Sequence, residues 1–540
     1  MMKNSSYSLS LLLLTCCSLP FVACKKQLND YSINPTQLSV ASFYKTPQDA
    51  NLAVLGIYGY ITTPRSYALE GQRAGLLRGD EMSTGADYGK IGQHTVDGTF
   101  YTSQEPWQFT YAALYAANDV LEKVPSINFS DAKLKNAYLG EAHCLRAFCH
   151  FFLLMSYRNI KLYTATPKTA ADYLKPQSPP AVVWDSVIAD LQIAKSLLPS
   201  KGYWTGSNTG RVTAGSASAL LGKVFLYRAG IENQNQYYAQ AAGEFNDIIT
   251  GKYGAYRLVS NYGDNFDAVN SNNDESLFEL QYKADLVNTN FNPGTSSSGV
   301  WFDGRGIAPC GAFNGANEAI VHNWVLDAFK QSVDASGNID PRVFSTLIFD
   351  DQSVQKRPGQ GVTGFAGQSQ PAALITKYAP NYTAANKKGI DFSLTQTQFN
   401  ASTRANAVNY RYIRYADVLL MYAEAVIQGG ATPGGGISPL AAINQVRQRP
   451  SVNMPPITAT PDMNTIEQER ILELSNEGHR FYDLLRWGKL AARFAALENS
   501  DPNFKKYSSY TPFKKGKDEW MPIPANELQA NKYMINNPGW

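Results

Sequence analysis

The chain has 540 residues, and its 48 Lys and Arg against 45 Asp and Glu leave a formal net charge of +3. So even a balance supplies no field strong enough to recruit nucleic acid, and neutral partners are expected. A chain of this length exceeds what one compact core usually organises, so a large domain with substantial excursions is predicted.

At the N-terminus, Met1, Met2 and Lys3 precede an apolar run through Leu9 and Leu11 to Leu14, which closes on Leu19, Pro20, Phe21, Val22, Ala23 and Cys24. The run is about 10 residues, well short of the ~20 that span a bilayer as a helix. Residues 1–23 therefore read as a signal peptide. Small Ala23 followed directly by Cys24 is the arrangement cleaved in bacterial lipoproteins, so Cys24 is predicted to carry lipid and to tie the mature chain to a membrane. Each buried acyl CH₂ contributes ~0.8 kcal/mol, and two or more chains anchor stably. With Cys16 and Cys17 lost and Cys24 acylated, Cys144, Cys149 and Cys310 remain, an odd number that does not suit a disulfide framework.

Helical periodicity then recurs along the chain. Short amphipathic candidates fall at 47–61, 106–124, 181–198, 236–250 and 317–330. Stronger stripes cover 138–157 (Leu145, Phe148, Phe152, Met155), 212–229 (Ala217, Leu221, Val224), 411–427 (Tyr415, Val418, Leu419, Tyr422) and 464–494 (Ile471, Leu474, Phe481, Leu485). Closely joined neighbours with Ala, Gly and aromatic contacts look like tetratricopeptide hairpins, without a strict repeat of about 34 residues. Between them, 62–105, 284–316 and 350–409 have poor periodicity and many Gly, Ser, Asn and Pro residues. Loops of that length on a helical scaffold are where a site is expected.

Chemistry is sparse. His143, Cys144, Cys149 and His150 share a predicted helix, but His143 and His150 stand roughly 10 Å apart along it, whereas zinc ligands lie ~2 Å from their metal. They read as packed helix residues, and no metal or cofactor is expected. The doublets Asp80 with Glu81, Asp274 with Glu275 and Asp350 with Asp351 read as surface or turn carboxylates. A glycosidase would need two carboxylates at a set separation, and acidic residues are numerous enough to leave that open. Nucleophile elbow, phosphate loop and dinucleotide fingerprint are missing in any fitting context, so an enzyme is not predicted. The mixed charges Arg470, Glu473, Glu477, Arg480, Asp483 and Arg486, at helical spacing, read as structural pairing. In composition, 12% of residues are aromatic and only 17% charged, with 32 tyrosines. Aromatic faces and amides suit a polar, uncharged ligand such as a sugar, and equally a protein interface.

Several strings together resemble the SusD/RagB family of outer-membrane lipoproteins. They are Leu139-Gly140-Glu141-Ala142 with Arg146-Ala147-Phe148 and Tyr157, Gly210-Arg211-Val212-Thr213-Ala214, and Glu275-Ser276-Leu277-Phe278-Glu279-Leu280-Gln281. Asp340-Pro341-Arg342, Arg414-Tyr415-Ala416-Asp417 through Ala425, and Glu477-Gly478-His479-Arg480-Phe481-Tyr482-Asp483 through Trp487-Gly488 follow in the family's order. Met521-Pro522-Ile523-Pro524 and Asn536-Asn537-Pro538-Gly539-Trp540 complete it. One departure is that Lys25, Lys26 and Gln27 follow the cysteine where members often carry acidic residues.

The resemblance implies a mainly α fold of tetratricopeptide-like helix pairs forming a scaffold, with long irregular loops and a few short strands. It implies one SusD-like domain over 24–540, with an N-terminal part of about 24–330 and a C-terminal part of about 331–540. It implies a cell-surface lipoprotein of the outer membrane that captures oligosaccharide or polysaccharide and passes it to a SusC-like TonB-dependent barrel. Alternatives are peptide or glycoconjugate binding on the same scaffold, a role mainly as transporter lid, and, from another class, a surface glycosidase. Ligand contacts are implied in the loops Asp80 to Tyr101 and Tyr282 to Phe313. There Tyr88 and Trp301 are the candidate stacking platforms, and Asp87, Asn290, Asn292 and Asp303 the candidate hydroxyl partners. Trp301 is favoured because it follows the flexible run Gly294-Thr295-Ser296-Ser297-Ser298-Gly299.

Overall fold

The structure is a computed structural model that describes residues 43–63, 66–67, 71–83, 89–282, 320–349, 351, 353–361, 383–389, 408–501 and 510–540. Helices α1 (Pro47–Thr62), α2 (Gln72–Leu77), α3 (Tyr101–Lys123), α4 (Ala132–Tyr157), α5 (Pro180–Leu197), α6 (Ala214–Glu232) and α7 (Gln236–Ile249) make the first part. The second holds α8 (Asn323–Gln331), α9 (Tyr415–Gly429), α10 (Pro439–Arg447), α11 (Met463–Leu474), α12 (Arg480–Arg486), α13 (Leu490–Ser500) and α14 (Ala525–Ala530). Consecutive helices from α3 to α7 pack on one another, α1 packs on α3 and α4, and α9 carries the stack onward by packing on α7, α10 and α11. The fold is thus a mainly helical scaffold of paired helices, as its periodicity predicts.

Local chemistry sets the helix starts. Thr46 and Asp49 close a capping box at α1, with Pro47 pre-set at the first position, and the face Ala50, Val54, Ile57 and Ile61 is buried. Asp131 accepts from the Lys133 and Leu134 amides, so α4 begins six residues before its apolar stripe does. Thr213 and Ser216 cap α6 reciprocally. Close helix contact rests on glycine where a side chain would collide: a Cβ at Gly222 would fall 2.6 Å from the Phe245 ring, and one at Gly230 would meet the Arg486 carbonyl. The main core cluster draws on residues from Ala50 to Met534, with Trp184 its largest fully buried side chain.

Three expectations are corrected. Residues 411–414 are strand rather than helix: β6 (Tyr410–Arg414) pairs antiparallel with β2 (Ser276–Leu280), and α9 starts only at Tyr415. Its aromatic and β-branched residues suit a strand, and a tertiary partner decides a choice that periodicity leaves even. The segment 464–494 is three helices, because Asn476 (φ 63°), Gly478 (φ 80°) and Gly488 (φ 67°) take left-handed backbone that ends each turn. The predicted helix 317–330 begins at Asn323, after β3 (Ile320–Val321).

The remaining strands are β1 (Met82–Ser83), β4 (Leu347–Phe349) and β5 (Ala384–Asn386), which join β3 in a four-stranded antiparallel sheet of order β1-β3-β5-β4. The irregular stretch 62–105 contains α2, all six residues of which are buried. A helix apolar or buried all round shows no periodic contrast in sequence.

Candidate functional site

The candidate contacts Asp87, Tyr88, Asn290, Asn292, Trp301 and Asp303, the candidate anchor Cys24, and Cys310 all lie outside the described residues. What the structure fixes is the places from which their segments leave the scaffold. Ser83, last residue of β1, is the register partner of Ile320, first residue of β3. The chain that runs on to Asp87 and Tyr88 therefore leaves β1 beside the point where the chain from Asn290 through Asp303 enters β3. At the other root, Leu280 pairs with Tyr410, and the Tyr282 amide donates to Asn409 Oδ1 at 2.6 Å while Asn409 Nδ2 donates to Gln281 Oε1 at 2.9 Å.

Buried charge holds these roots in place, and here the reading of the carboxylate doublets is overturned. Asp80 and Glu81 are 0% and 1% exposed, and Glu275 is 0% exposed. Asp80 takes the guanidiniums of Arg480 at 3.0 Å and Arg493 at 2.5 Å, and its carbonyl accepts from the Trp324 indole at 2.6 Å. Burial opposes its ionisation, but the two arginines outweigh burial and hold its carboxyl below the usual range. The Glu275 carboxylate accepts from Arg449, from Asn265 Nδ2 at 2.9 Å and from Arg414 at 3.4 Å. Only Asp274 and Asp351 keep turn or surface roles: Asp274 pairs with Arg257 at 2.6 Å and Lys201 at 3.2 Å, and Asp351 with Lys330 at 2.5 Å. Asp350 lies outside the described residues.

Glu81 differs from its neighbour. Burial first, and the Asp80 charge second, push its carboxyl up to about 8, so it is mainly protonated at neutral pH. Its folded value exceeds its unfolded one, so it contributes stability that is full below about pH 4.5 and lost as pH rises to about 8. Glu81→Gln keeps an acceptor for the Asn476 amide, 3.2 Å away. The variant is expected to remove that decline, measured as a flatter urea-midpoint profile across the window; an unchanged profile would show Glu81 to be ionised.

The charges at 470–487 are structural, as read, but they reach far beyond one helix. Glu473 Oε1 accepts from Arg414 at 2.6 Å and Arg449 at 2.8 Å, and Oε2 from Arg342 at 3.0 Å. Glu477 accepts from Arg414 and Lys388, both at 2.8 Å. Arg470 and Arg486 share Asp483, and extend to Asp417 and Glu424 on α9. These links tie β6, α9, α11 and α12 together beneath the roots. The residues of α4 are likewise packing: His143 Nδ1 meets Asp190 at 2.7 Å, burial pushes His150 down to about 3, and Cys144 and Cys149 are buried free thiols whose pKa burial raises.

Between α2, the 476–478 bend and the root residues Gly389 and Val408 lies a cleft of about 480 Å³, its open mouth included. It is lined by amides (Gln72, Asn265, Asn409, Asn476), by Tyr410, Phe266 and Leu76, and by Lys388, Arg411 and Glu477. Nothing in the sequence picks these out, because they come from five separate stretches; the turn signal Asn476-Glu477-Gly478 is the only local hint.

Residues 274–540 match the SusD family, and residues 81–226 match a SusD-like family described as starch-binding, associating with the outer membrane. The SusD-like protein P2 of Formosa agariphila is 26% identical over 562 residues, covering 100% of both chains. A SusD superfamily protein from Bacteroides vulgatus is 26% identical with a TM-score of 0.73, over 92% of this chain and 100% of its own. A laminarin-binding SusD-like protein, 23% identical, has a TM-score of 0.66 over 92% of this chain and 100% of its own, a likeness of fold.

Proposed function

We propose a function from the premise that the chain belongs to the SusD family. It is a nutrient-binding lipoprotein, anchored at the outer-membrane surface through Cys24 after removal of residues 1–23. It captures oligosaccharide or polysaccharide and passes it, without chemistry, to a TonB-dependent barrel. The observation that carries the ligand class is the match of residues 81–226 to a family described as starch-binding.

The register pair Ser83 and Ile320 supports treating the two candidate loops as one site, because one leaves β1 beside the point where the chain from the other enters β3. In that site Tyr88 and Trp301 stack on sugar rings, and Asp87, Asn290, Asn292 and Asp303 meet hydroxyls. A tether at Cys24 keeps receptor and barrel at high effective concentration, so transfer does not wait on free diffusion.

The test is titration of the purified chain against a panel of polysaccharides, repeated with Trp301→Ala. Loss of one stacking platform is expected to weaken binding about tenfold, ~1.4 kcal/mol. Equal affinity would remove Trp301 from the site, and failure to bind any glycan would overturn the ligand class.

A further inference from the structure

We propose that Tyr173, Leu174, Lys175, Lys532, Tyr533 and Ile535 form a membrane-contact surface, which lies against the anionic phosphate headgroups of the lipid layer that holds Cys24. The inference deepens the proposed function and rests on its lipid anchor.

The patch is built from two segments laced together. Asn531 Nδ2 donates to the Lys175 carbonyl at 2.8 Å, and Gln177 Nε2 to the Ile535 carbonyl at 2.6 Å, so residues 173–177 run beside 531–535. The Tyr163 hydroxyl donates to the Tyr173 carbonyl at 2.9 Å, and the Tyr173 ring stands edge-on to Tyr115 of α3 at 5.5 Å. On this fixed base Tyr173, Leu174, Tyr533 and Ile535 are 44%, 40%, 51% and 71% exposed. Four large apolar side chains turned outward together mark an interaction surface, where single exposed ones would need no explanation.

The chemistry of the patch selects the partner. Carboxylates around it are already matched: Asp119 to Lys123 at 3.0 Å, Glu122 to Lys168, Glu527 to Lys161 at 2.6 Å, and Asp172 to the Lys168 and Thr169 amides, both at 2.8 Å. Lys175 and Lys532, both exposed, have no ion-pair partner among the described residues and lie over the rings of Tyr163 and Tyr533, at 4.8 and 5.1 Å. Lysine answers a phosphate, tyrosine sits at headgroup level, and an aliphatic side chain enters the acyl boundary. Leu174 and Ile535 offer a sugar neither a stacking face nor a hydrogen bond, which sets the patch apart from a second glycan site.

The place where the N-terminal tether meets the fold puts the membrane on this side. Phe43, nineteen residues after Cys24, is the first described residue, and the Tyr44 ring lies under the Lys123 ammonium at 5.1 Å. The end of α3 that carries Lys123 also holds the segment leading into the patch, because Thr166 donates to Asp119 at 3.0 Å and to Glu122 at 2.7 Å. Tyr115 and Lys123 are eight residues apart, so tether arrival and patch stand about 12 Å apart along α3. A lipid on Cys24 leaves the orientation of the receptor free; a second contact beside the arrival point fixes it.

The experiment is co-sedimentation of residues 25–540, which retain every described residue, with vesicles of phosphatidylcholine and of an equal mixture of phosphatidylcholine and phosphatidylglycerol. Wild type is expected to bind the mixed vesicles, and the double variants Tyr533→Ser with Ile535→Ser and Lys175→Gln with Lys532→Gln to bind them about tenfold more weakly at unchanged melting temperature. Val182→Ser, at a 48% exposed apolar position on α5, is expected to bind as wild type does. Absence of binding to the mixed vesicles overturns the surface, and so does equal binding by wild type and both double variants. A wild-type dimer that the double variants abolish, or loss of polysaccharide binding in them, gives the patch to another occupant and overturns it too. Mass spectrometry of the full chain from bacterial membranes separates the two readings: Cys24 without lipid overturns the anchor, whereas lipid on Cys24 without vesicle binding overturns the patch alone.

Discussion

Replacing Glu473 by glutamine is expected to cost about 3–5 kcal/mol of folding stability, the range seen when one partner of a buried ion pair is removed. Glutamine preserves the shape of the side chain and deletes one charge. The residue is 0% exposed and its carboxylate sits among Arg342, Arg414 and Arg449, at 3.0, 2.6 and 2.8 Å. Those three guanidiniums are themselves fully buried, so no water can take over the lost interactions. The surface pair Lys252 and Asp247 provides the contrast, because Lys252 is 57% exposed in its side chain. Asp247→Asn is therefore expected to cost no more than ~1 kcal/mol. Urea unfolding decides the matter: Glu473→Gln should lower the midpoint strongly at unchanged slope, Asp247→Asn barely. Equal small shifts in both would mean that the hub is wet or already neutral.

Much of this fold is legible in the sequence, and the failures have physical causes. Helices such as 181–198 and 236–250 appear within a residue or two of their predicted bounds, because each buries one face and the contrast survives in the sequence. The break at 476–478 does not show in periodicity, since the apolar stripe runs on through it; Gly478 and Gly488 were the available sign. β6 and the buried doublets fail for a different reason. Tyr410–Arg414 becomes a strand because Ser276–Leu280 lies beside it, and Asp80 is buried because Arg480 and Arg493, four hundred residues away, come to meet it. Partners that distant leave no local pattern. The family motifs report that same hub, since Glu275, Arg342, Arg414 and Glu477 all belong to it. They identify the scaffold well and say little about the ligand. The cleft around Asn476 is hidden likewise, being assembled from α2, the strand roots and the bend.

The same hub should make the protein acid-sensitive in a defined window. Burial opposes ionisation of Glu477, but Arg414 and Lys388 outweigh it and bring its carboxyl down to about 2, from an ordinary 4.5. Glu473 is held low as well, its burial outweighed by Arg449, Arg414 and Arg342. Both folded values lie below the unfolded ones, so the stability they contribute is present above about pH 4.5 and lost as pH falls toward 2. For Glu477 alone the shift corresponds to about 3 kcal/mol, at ~1.4 kcal/mol per unit. His479, which also faces Glu477, is pushed by burial from an ordinary 6.5 to about 4, so it adds a loss of its own as pH falls from about 6.5 to about 4, above most of the Glu477 window. Glu81 acts oppositely, its penalty growing only above about pH 4.5. Stability should therefore climb steeply from pH 2 to about 4.5 and flatten or decline beyond. Glu477→Gln is expected to lower the plateau and shallow the acid limb, because the group that titrates there is gone. Urea midpoints taken across the acid range test this directly: an acid limb as steep in Glu477→Gln as in wild type would place the sensitivity outside the hub.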